Sequence, residues 1–129
     1  MGTRANVAVK VGDEYRVIYT HWDGYPSHHL PILQGHYNSQ ERAELLVSFG
    51  DASQLEERCI PNGPHSFENK EEGCTVYYGR DRGEGGAECT VLSPPMGLKV
   101  DNEYLYYFDG DSWKWTSNGN EWFSEIGKD

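Results

Sequence analysis

Alternating apolar and polar residues open the chain and predict a β-hairpin. The run from Asn6 to Lys10 places Val7 and Val9 on one side. After the turn signal Gly12-Asp13, residues 15–19 again have strand-like composition. Two such runs around a short glycine-containing turn are typical of antiparallel strands.

Helical spacing follows in two stretches. Ser27 is the predicted N-cap of a first helix, which carries Leu30, Leu33 and Tyr37 at positions i, i+3 and i+7. The string Asn38-Ser39-Gln40-Glu41 has capping-box spacing with Asn38 as the cap, and Gly50 ends this second helix. Asp51 is placed to cap a further short turn through Leu55.

The second half of the chain favours short strands separated by loops. Strands are predicted over residues 74–78, 89–92, 103–108 and 112–116, and loops over 60–73 and 79–86. Asp109-Gly110-Asp111 joins the last two strands as a hairpin, and the tail is expected to pack through Trp122, Phe123 and Ile126. Residues 1–129 are therefore predicted to form a single α+β domain: an antiparallel sheet built from hairpins, with two helices packed on one face.

Composition supports a folded chain with an aromatic core. Hydrophobic residues make up only 36% of the chain, but aromatic residues reach 13%, and each buries a large area. Tyr104, Tyr106, Trp113 and Trp115 are interpreted as sheet packing or, if exposed, as a stacking platform. No run approaches the ~20 apolar residues of a membrane span. The start Met1-Gly2-Thr3-Arg4 has no apolar leader, so no signal peptide is expected.

Cysteine usage and net charge restrict the compartment and the partners. Three cysteines without a CxxC pair (Cys59, Cys74, Cys89) indicate reduced, buried thiols and a cytoplasmic protein. The net charge of −10 argues against direct binding of nucleic acid or an anionic membrane. It leaves two interpretations: a solubilising surface, or an acidic face that occupies a basic groove on another protein.

The histidines do not have the spacing of a metal site. His29 and His36 share a helix face, but seven residues of helix separate them by about 10 Å, whereas zinc–nitrogen bonds are ~2 Å. We therefore expect no metal and solvated histidines on this helix. The glycine-rich Gly83-Glu84-Gly85-Gly86 lacks the lysine and hydroxyl of a phosphate-binding loop, and no cofactor is expected.

The string HWDGYP, at the junction of a predicted strand and helix, carries more chemistry than a turn needs. His21, Trp22, Asp23 and Tyr25 supply an imidazole, a carboxylate and two aromatic faces, and are candidate ligand-binding residues. His21 and Asp23 are two residues apart, so on an extended strand they could form an acid–base pair. Ser27, Cys74 or Tyr25 could serve as a nucleophile, but none is specified, and no catalytic residue is assigned beyond this alternative pair.

A second candidate lies at Gly79-Arg80-Asp81-Arg82. Arg80 and Arg82 flank Asp81 at the end of a predicted strand, in a chain with only 11 lysines and arginines. Arginine binds phosphate or carboxylate through two parallel hydrogen bonds. The arginines are interpreted either as an anion contact opposite HWDGYP, with Asp81 among the ligand-binding residues, or as partners of Asp81 that brace a loop.

Several strings together resemble a family of small proteins encoded by tailed phages, prophages and bacteria. The strings are Met1-Gly2-Thr3-Arg4, Tyr19-Thr20-His21-Trp22-Asp23-Gly24-Tyr25-Pro26, Leu46-Val47-Ser48-Phe49-Gly50-Asp51, His65-Ser66-Phe67 and Tyr78-Gly79-Arg80-Asp81-Arg82-Gly83-Glu84. The resemblance brings no catalytic residues with it. It implies an accessory phage protein that works in the bacterial cytoplasm, and such proteins are often inhibitors of host defence.

The leading hypothesis is a non-enzymatic inhibitor of an anti-phage defence system. It would bind a host defence protein or sequester a nucleotide-type signal. The alternative is a small hydrolase or nucleotide-processing enzyme that uses His21 and Asp23 as general acid and base. A role in virion assembly is a further option, and a homodimer is the default oligomeric state.

Overall fold

The first hairpin forms where the alternating pattern predicts it. In the computed structural model, which describes residues 3–94 and 96–125, β1 (Ala5–Val11) pairs antiparallel with β2 (Glu14–Trp22). Gly12 takes a φ of 62° in the turn, which glycine adopts without steric cost. β2 runs three residues further than predicted, so His21 and Trp22 belong to the strand.

Two longer helices follow β2, with caps one or two residues away from the predicted ones. Tyr25, not Ser27, precedes α1 (Pro26–His36), because Pro26 has the φ and the missing N–H that suit a first helical position. Ser39, not Asn38, caps α2 (Gln40–Ser48): its hydroxyl accepts a hydrogen bond of 3.2 Å from the Arg42 N–H.

The remaining elements are short and include one helix that the sequence did not indicate. They are β3 (Ala52–Gln54), β4 (Val76–Tyr77), α3 (Tyr78–Arg82), β5 (Thr90–Leu92), β6 (Tyr104–Phe108) and β7 (Trp113–Thr116). The predicted turn over residues 51–55 is wrong, because this segment pairs as a strand between β2 and β4. The interpretation of 79–86 as wholly irregular is also wrong: the Asp81 carboxylate accepts the Tyr77 N–H at 2.8 Å at the start of α3, and Gly83 ends it with a φ of 74°.

The sheet is mixed, which corrects the prediction of an antiparallel sheet. Its strand order is β4-β3-β2-β1-β6-β7, with β5 also paired to β2. β1 pairs parallel with β6, and β2 pairs parallel with β3. Short turns produce antiparallel neighbours, but α1 and α2 lie between β2 and β3, and such a long crossover allows β3 to run in the same direction as β2.

The core lies where aromatic residues of β6 and β7 meet the helices. Trp113 and Trp115 are fully buried, and the Trp113 indole N–H donates to the Tyr37 carbonyl at 3.0 Å. Phe123 packs against Trp115 and exchanges two backbone hydrogen bonds of 2.8 Å with it. The aromatic residues of β6 and β7 therefore pack in the core and do not form an exposed stacking platform. Ile126, which was also expected to pack, lies outside the described residues. None of the helices in 3–94 and 96–125 has the length and apolar character to cross a bilayer.

Candidate ligand-binding site

The HWDGYP junction is fixed by close backbone packing. The Gly24 N–H donates to the Thr3 carbonyl at 2.8 Å. A Cβ on Gly24 would lie 2.7 Å from that carbonyl oxygen and 2.8 Å from the Ala5 Cβ, so only glycine fits. Asp23, just before it, takes a φ of 55°, which is rare outside glycine and marks a constrained turn. The junction is therefore a rigid corner.

The two groups of the expected acid–base pair have different partners. His21 Nδ1 shares a hydrogen bond of 2.6 Å with the Tyr19 hydroxyl. The Asp23 carboxylate accepts from the Gln54 amide at 3.2 Å. Within residues 3–94 and 96–125, no hydrogen bond joins His21 to Asp23, because the left-handed φ of Asp23 takes it off the extended line of β2.

Trp22 and Tyr25 present aromatic surface to solvent. Their exposed fractions are 42% and 39%, among the largest for apolar side chains in the described chain. The Tyr25 ring meets His28 edge-on, with centroids 6.1 Å apart. These two rings are accessible to a ligand or a partner protein.

Arg80 and Asp81 form an internal brace. The Arg80 guanidinium donates to the Asp81 carboxylate at 2.8 and 3.0 Å and to the carbonyls of Thr75, at 3.2 Å, and Cys59. It also lies 4.8 Å from the centroid of the Tyr77 ring. Burial alone would raise the pKa of Asp81, but the hydrogen bonds from Arg80 and the Tyr77 N–H lower it below its usual value. Of the two interpretations, the described contacts favour the brace.

Arg82 points away from this brace. Its side chain is 55% exposed, against 23% for Arg80, and it pairs loosely with Glu84 at 3.8 Å. Its guanidinium lies over the Phe67 ring at 4.8 Å. The two arginines therefore do not form a joint clamp for an anion.

The HWDGYP and GRDRGE segments are not brought together by hydrogen bonds among the described residues. Trp22 pairs with Gln54 of β3, and Gln54 pairs in turn with Val76 of β4. α3 starts beyond the other end of β4, where Tyr77 pairs with Ala52. β3 thus separates the two candidate segments.

His65, whose imidazole is buried, is a partner of Asp81 that the sequence did not indicate. Its Nδ1 accepts the Glu71 N–H at 2.9 Å, so its Nε2 carries the proton and donates to Asp81 at 3.0 Å. Both ring nitrogens are used, and this histidine–carboxylate pair holds the 60–73 loop in place. The string His65-Ser66-Phe67 was a signal, but its partner 16 residues away could not be read from spacing.

His29 corrects the expectation of solvated histidines on α1. It is fully buried, its Nε2 shares a hydrogen bond of 2.9 Å with the Thr20 hydroxyl, and burial lowers its pKa to about 3. It is therefore neutral at physiological pH. In residues 3–94 and 96–125, no group of three or more potential ligands is arranged to hold a metal ion.

A cavity of about 310 Å³ lies beside β2 and β5. Val17 and Tyr19 of β2 and Leu105 of β6 contribute to its walls, together with Leu92 of β5. Part of the 96–101 segment, including Leu98 and Lys99, lines it as well. An apolar concave site with a few polar groups is the usual form of a small-molecule site. None of its wall residues was a candidate from sequence, because they come from six separate parts of the chain.

The polar groups of this cavity are held in fixed positions. Asp51 Oδ1 accepts the Tyr19 N–H at 2.9 Å, and burial raises the pKa of the Asp51 carboxyl. Burial also raises the pKa of the Tyr19 hydroxyl, an effect that nearby Arg4 opposes. His21, through its bond to the Tyr19 hydroxyl, is the HWDGYP residue linked to this cavity.

A second cavity, of about 620 Å³, is larger but is lined mainly by charged residues, which include the cations Arg58 and Lys70. It lies at the β3–β4 edge and includes Glu56, Glu57, Glu71 and Glu72 in its wall. Arg58 pairs with Glu71 at 2.5 Å inside it. A surface of this kind is well solvated and offers little apolar area to a ligand, so we regard the smaller cavity as the candidate site.

Comparisons with protein families, curated proteins and solved structures find no match to this chain. The binding function proposed below is therefore inferred from the geometry of the molecule.

Proposed function

We propose that this protein is a non-enzymatic binding protein that takes up a small nucleotide-type signal and so inhibits a bacterial immune system. The observation that supports binding is the cavity of about 310 Å³ beside β2 and β5. The phage origin, the action in the bacterial cytoplasm and the target in host defence rest on the sequence resemblance.

The size and lining of the cavity suit one ring system of such a ligand. Ligand cavities typically measure ~300–1,000 Å³, so this one is at the lower limit. Val17, Leu92 and Leu105 supply apolar surface for a flat ring, and Asp51 supplies a hydrogen-bond acceptor. A nucleotide would then leave its sugar and phosphate near the entrance.

Binding is favoured over turnover by the partners of the histidines. The enzyme alternative requires His21 and Asp23 to act on one substrate, whereas each is bonded to a different neighbour. His65 has both ring nitrogens occupied within the protein. Of these two imidazoles, His65 therefore has no free nitrogen to offer a substrate, and His21 is not paired with Asp23 among the described residues.

We also infer that α1 and α2 pack on the same face of the sheet. The support is that His29 of α1 bonds Thr20 of β2, while α2 contacts β1 and β2. Successive side chains of a strand point to opposite faces, so Val17 and Tyr19 project away from the face of Thr20. The helices would then leave the cavity face of the sheet open to a ligand.

Direct inhibition of a host protein is the second candidate, because Trp22 and Tyr25 are exposed in an acidic molecule. One or two such aromatic anchors often dominate the affinity of an interface. In this version the protein would act without a small ligand.

Native mass spectrometry of the protein captured from its bacterial host tests the proposal. Leu92→Trp fills the cavity from β5, whereas the matched Val91→Trp changes the neighbouring exposed residue, which does not line the cavity. We expect a small-molecule adduct on the wild type and Val91→Trp, and its loss in Leu92→Trp. Capture of a stoichiometric host protein without any small adduct would reject sequestration in favour of direct inhibition.

A further inference from the structure

Asp51 is the polar group of the cavity whose position is most firmly set. Its N–H donates to the Ala87 carbonyl at 2.7 Å, and its own carbonyl accepts the Tyr78 N–H at 3.1 Å. Its Oδ1 accepts the Tyr19 N–H at 2.9 Å. These three bonds hold the carboxylate against the cavity without help from a ligand.

The same carboxylate has no cationic partner among the described residues. The ion pairs of residues 3–94 and 96–125 all involve other acids, and the neighbouring charge on Asp51 is that of Glu88, which repels it. Oδ2 accepts no hydrogen bond from these residues. Oδ2 is therefore available to accept a hydrogen bond from a ligand N–H.

The other polar groups of the wall are occupied or lie in solvent. The Asn6 amide donates to the Ile18 carbonyl at 3.3 Å and accepts from the Asn102 amide at 2.8 Å. Lys99 is 79% exposed and lies 3.9 Å from Asp101. The cavity therefore offers an acceptor inside and a cation at its solvent side.

We propose that the cavity binds a nucleobase carrying an exocyclic amino group, which donates to Asp51 Oδ2 while the ring lies against Val17 and Leu105. This inference rests on the proposed function and names its ligand class. A phosphate is excluded from the inner end because it would meet the carboxylate of Asp51, and it stays outside near Lys99. An aliphatic ammonium is disfavoured, since it would have to lose its hydration in an apolar cavity, whereas an aromatic amine donates without carrying charge.

Two pairs of nucleosides test this inference by calorimetry with the purified protein. Adenosine and purine riboside differ only in one amino group, as do guanosine and inosine. We expect at least one amino nucleoside to bind, and its partner without the amino group to bind at least about tenfold more weakly. Equal affinity within both pairs would overturn the inference on the wild-type protein alone.

The variant Asp51→Asn tests whether the Asp51 carboxylate is the group that distinguishes nucleosides with the amino group from those without it. Asparagine keeps an oxygen for the Tyr19 N–H but replaces Oδ2 with an amide that donates. The amino nucleoside should lose its advantage in this variant and keep it in Glu88→Gln, a matched loss of a nearby charge that does not line the cavity. A preference retained in Asp51→Asn would contradict the inference.

The two proposals can fail separately. If none of the four nucleosides binds, yet the captured protein carries an adduct that Leu92→Trp loses, the cavity does not recognise an aminopurine and the binding function stands. If no adduct is captured and no nucleoside binds, both proposals are rejected.

Discussion

At the scale of single residues, Arg80 stabilises the protein through contacts that point inwards. It bonds Asp81 and two carbonyls and packs on Tyr77, so its removal leaves a buried carboxylate without its main partner. We expect Arg80→Ala to lower the free energy of unfolding by about 2–3 kcal/mol.

Urea denaturation measures this effect, with Arg82→Ala as the control. Arg82 is more than half exposed, and its loss should change stability by less than about 0.5 kcal/mol. Similar stabilities for the two variants would show that the brace is not formed.

His29 makes stability depend on pH. Its pKa is lowered from 6.5 to about 3 in the folded protein, so between these values only the unfolded chain takes up the proton. The free energy of unfolding should therefore fall as the pH falls from 6.5 towards 3, with this residue contributing at most about 1.4 kcal/mol per pH unit.

Urea denaturation at a series of pH values measures that slope. His29→Gln should flatten it, because the titrating group is gone, even if the variant is less stable at every pH. His36→Gln, which alters an exposed histidine at the end of α1, is the matched control variant. An identical slope in His29→Gln would argue against a neutral buried imidazole.

At the scale of elements, the link between α2 and β3 positions Asp51 of the cavity. Gly50 has a φ of 88°, and a Cβ there would lie 2.2 Å from the Ala87 carbonyl oxygen. Gly50→Ala should lower stability by more than about 1 kcal/mol and disturb the cavity. Gly35, in the exposed part of α1, has free space around it, so Gly35→Ala should raise stability by about 0.5–1 kcal/mol.

Thermal unfolding of the two alanine variants provides the measurement. We expect melting temperatures shifted in opposite directions from the wild type. A Gly50→Ala protein as stable as the wild type would mean that the contact with Ala87 is not close.

The elements predicted best are those that local patterns specify. The alternating pattern predicted the β1–β2 hairpin, and the turn Asp109-Gly110-Asp111 predicted the β6–β7 hairpin. Both hairpins depend on residues that are neighbours in sequence. β3 and α3 were missed. β3 is extended because β2 and β4 flank it, and α3 is held by Asp81, whose partners include distant His65.

At the scale of the whole molecule, the net charge of −10 should oppose binding of a nucleotide more than that of its nucleoside. Lys99 is one exposed cation that lies 3.9 Å from Asp101, so we expect repulsion by the net negative charge to dominate at low salt, where screening is weak. For the nucleoside that binds, we expect the affinity of its monophosphate to approach that of the nucleoside as salt rises from about 0.05 M to about 0.5 M.

Calorimetry of both ligands across this range checks the prediction, since the nucleoside controls for effects unrelated to charge. A monophosphate that binds progressively more weakly than the nucleoside as salt rises would indicate that a local cation dominates.

The sequence by itself determined the two hairpins and the two longer helices, because short-range backbone preferences fix each of them. Only the tertiary structure decided that the sheet is mixed, that Arg80 and His65 brace Asp81, and that Asp51, Tyr19 and Leu105 share one cavity. Those relations join residues distant in sequence. They depend on crossover connections and on the burial of charge, which no local pattern specifies.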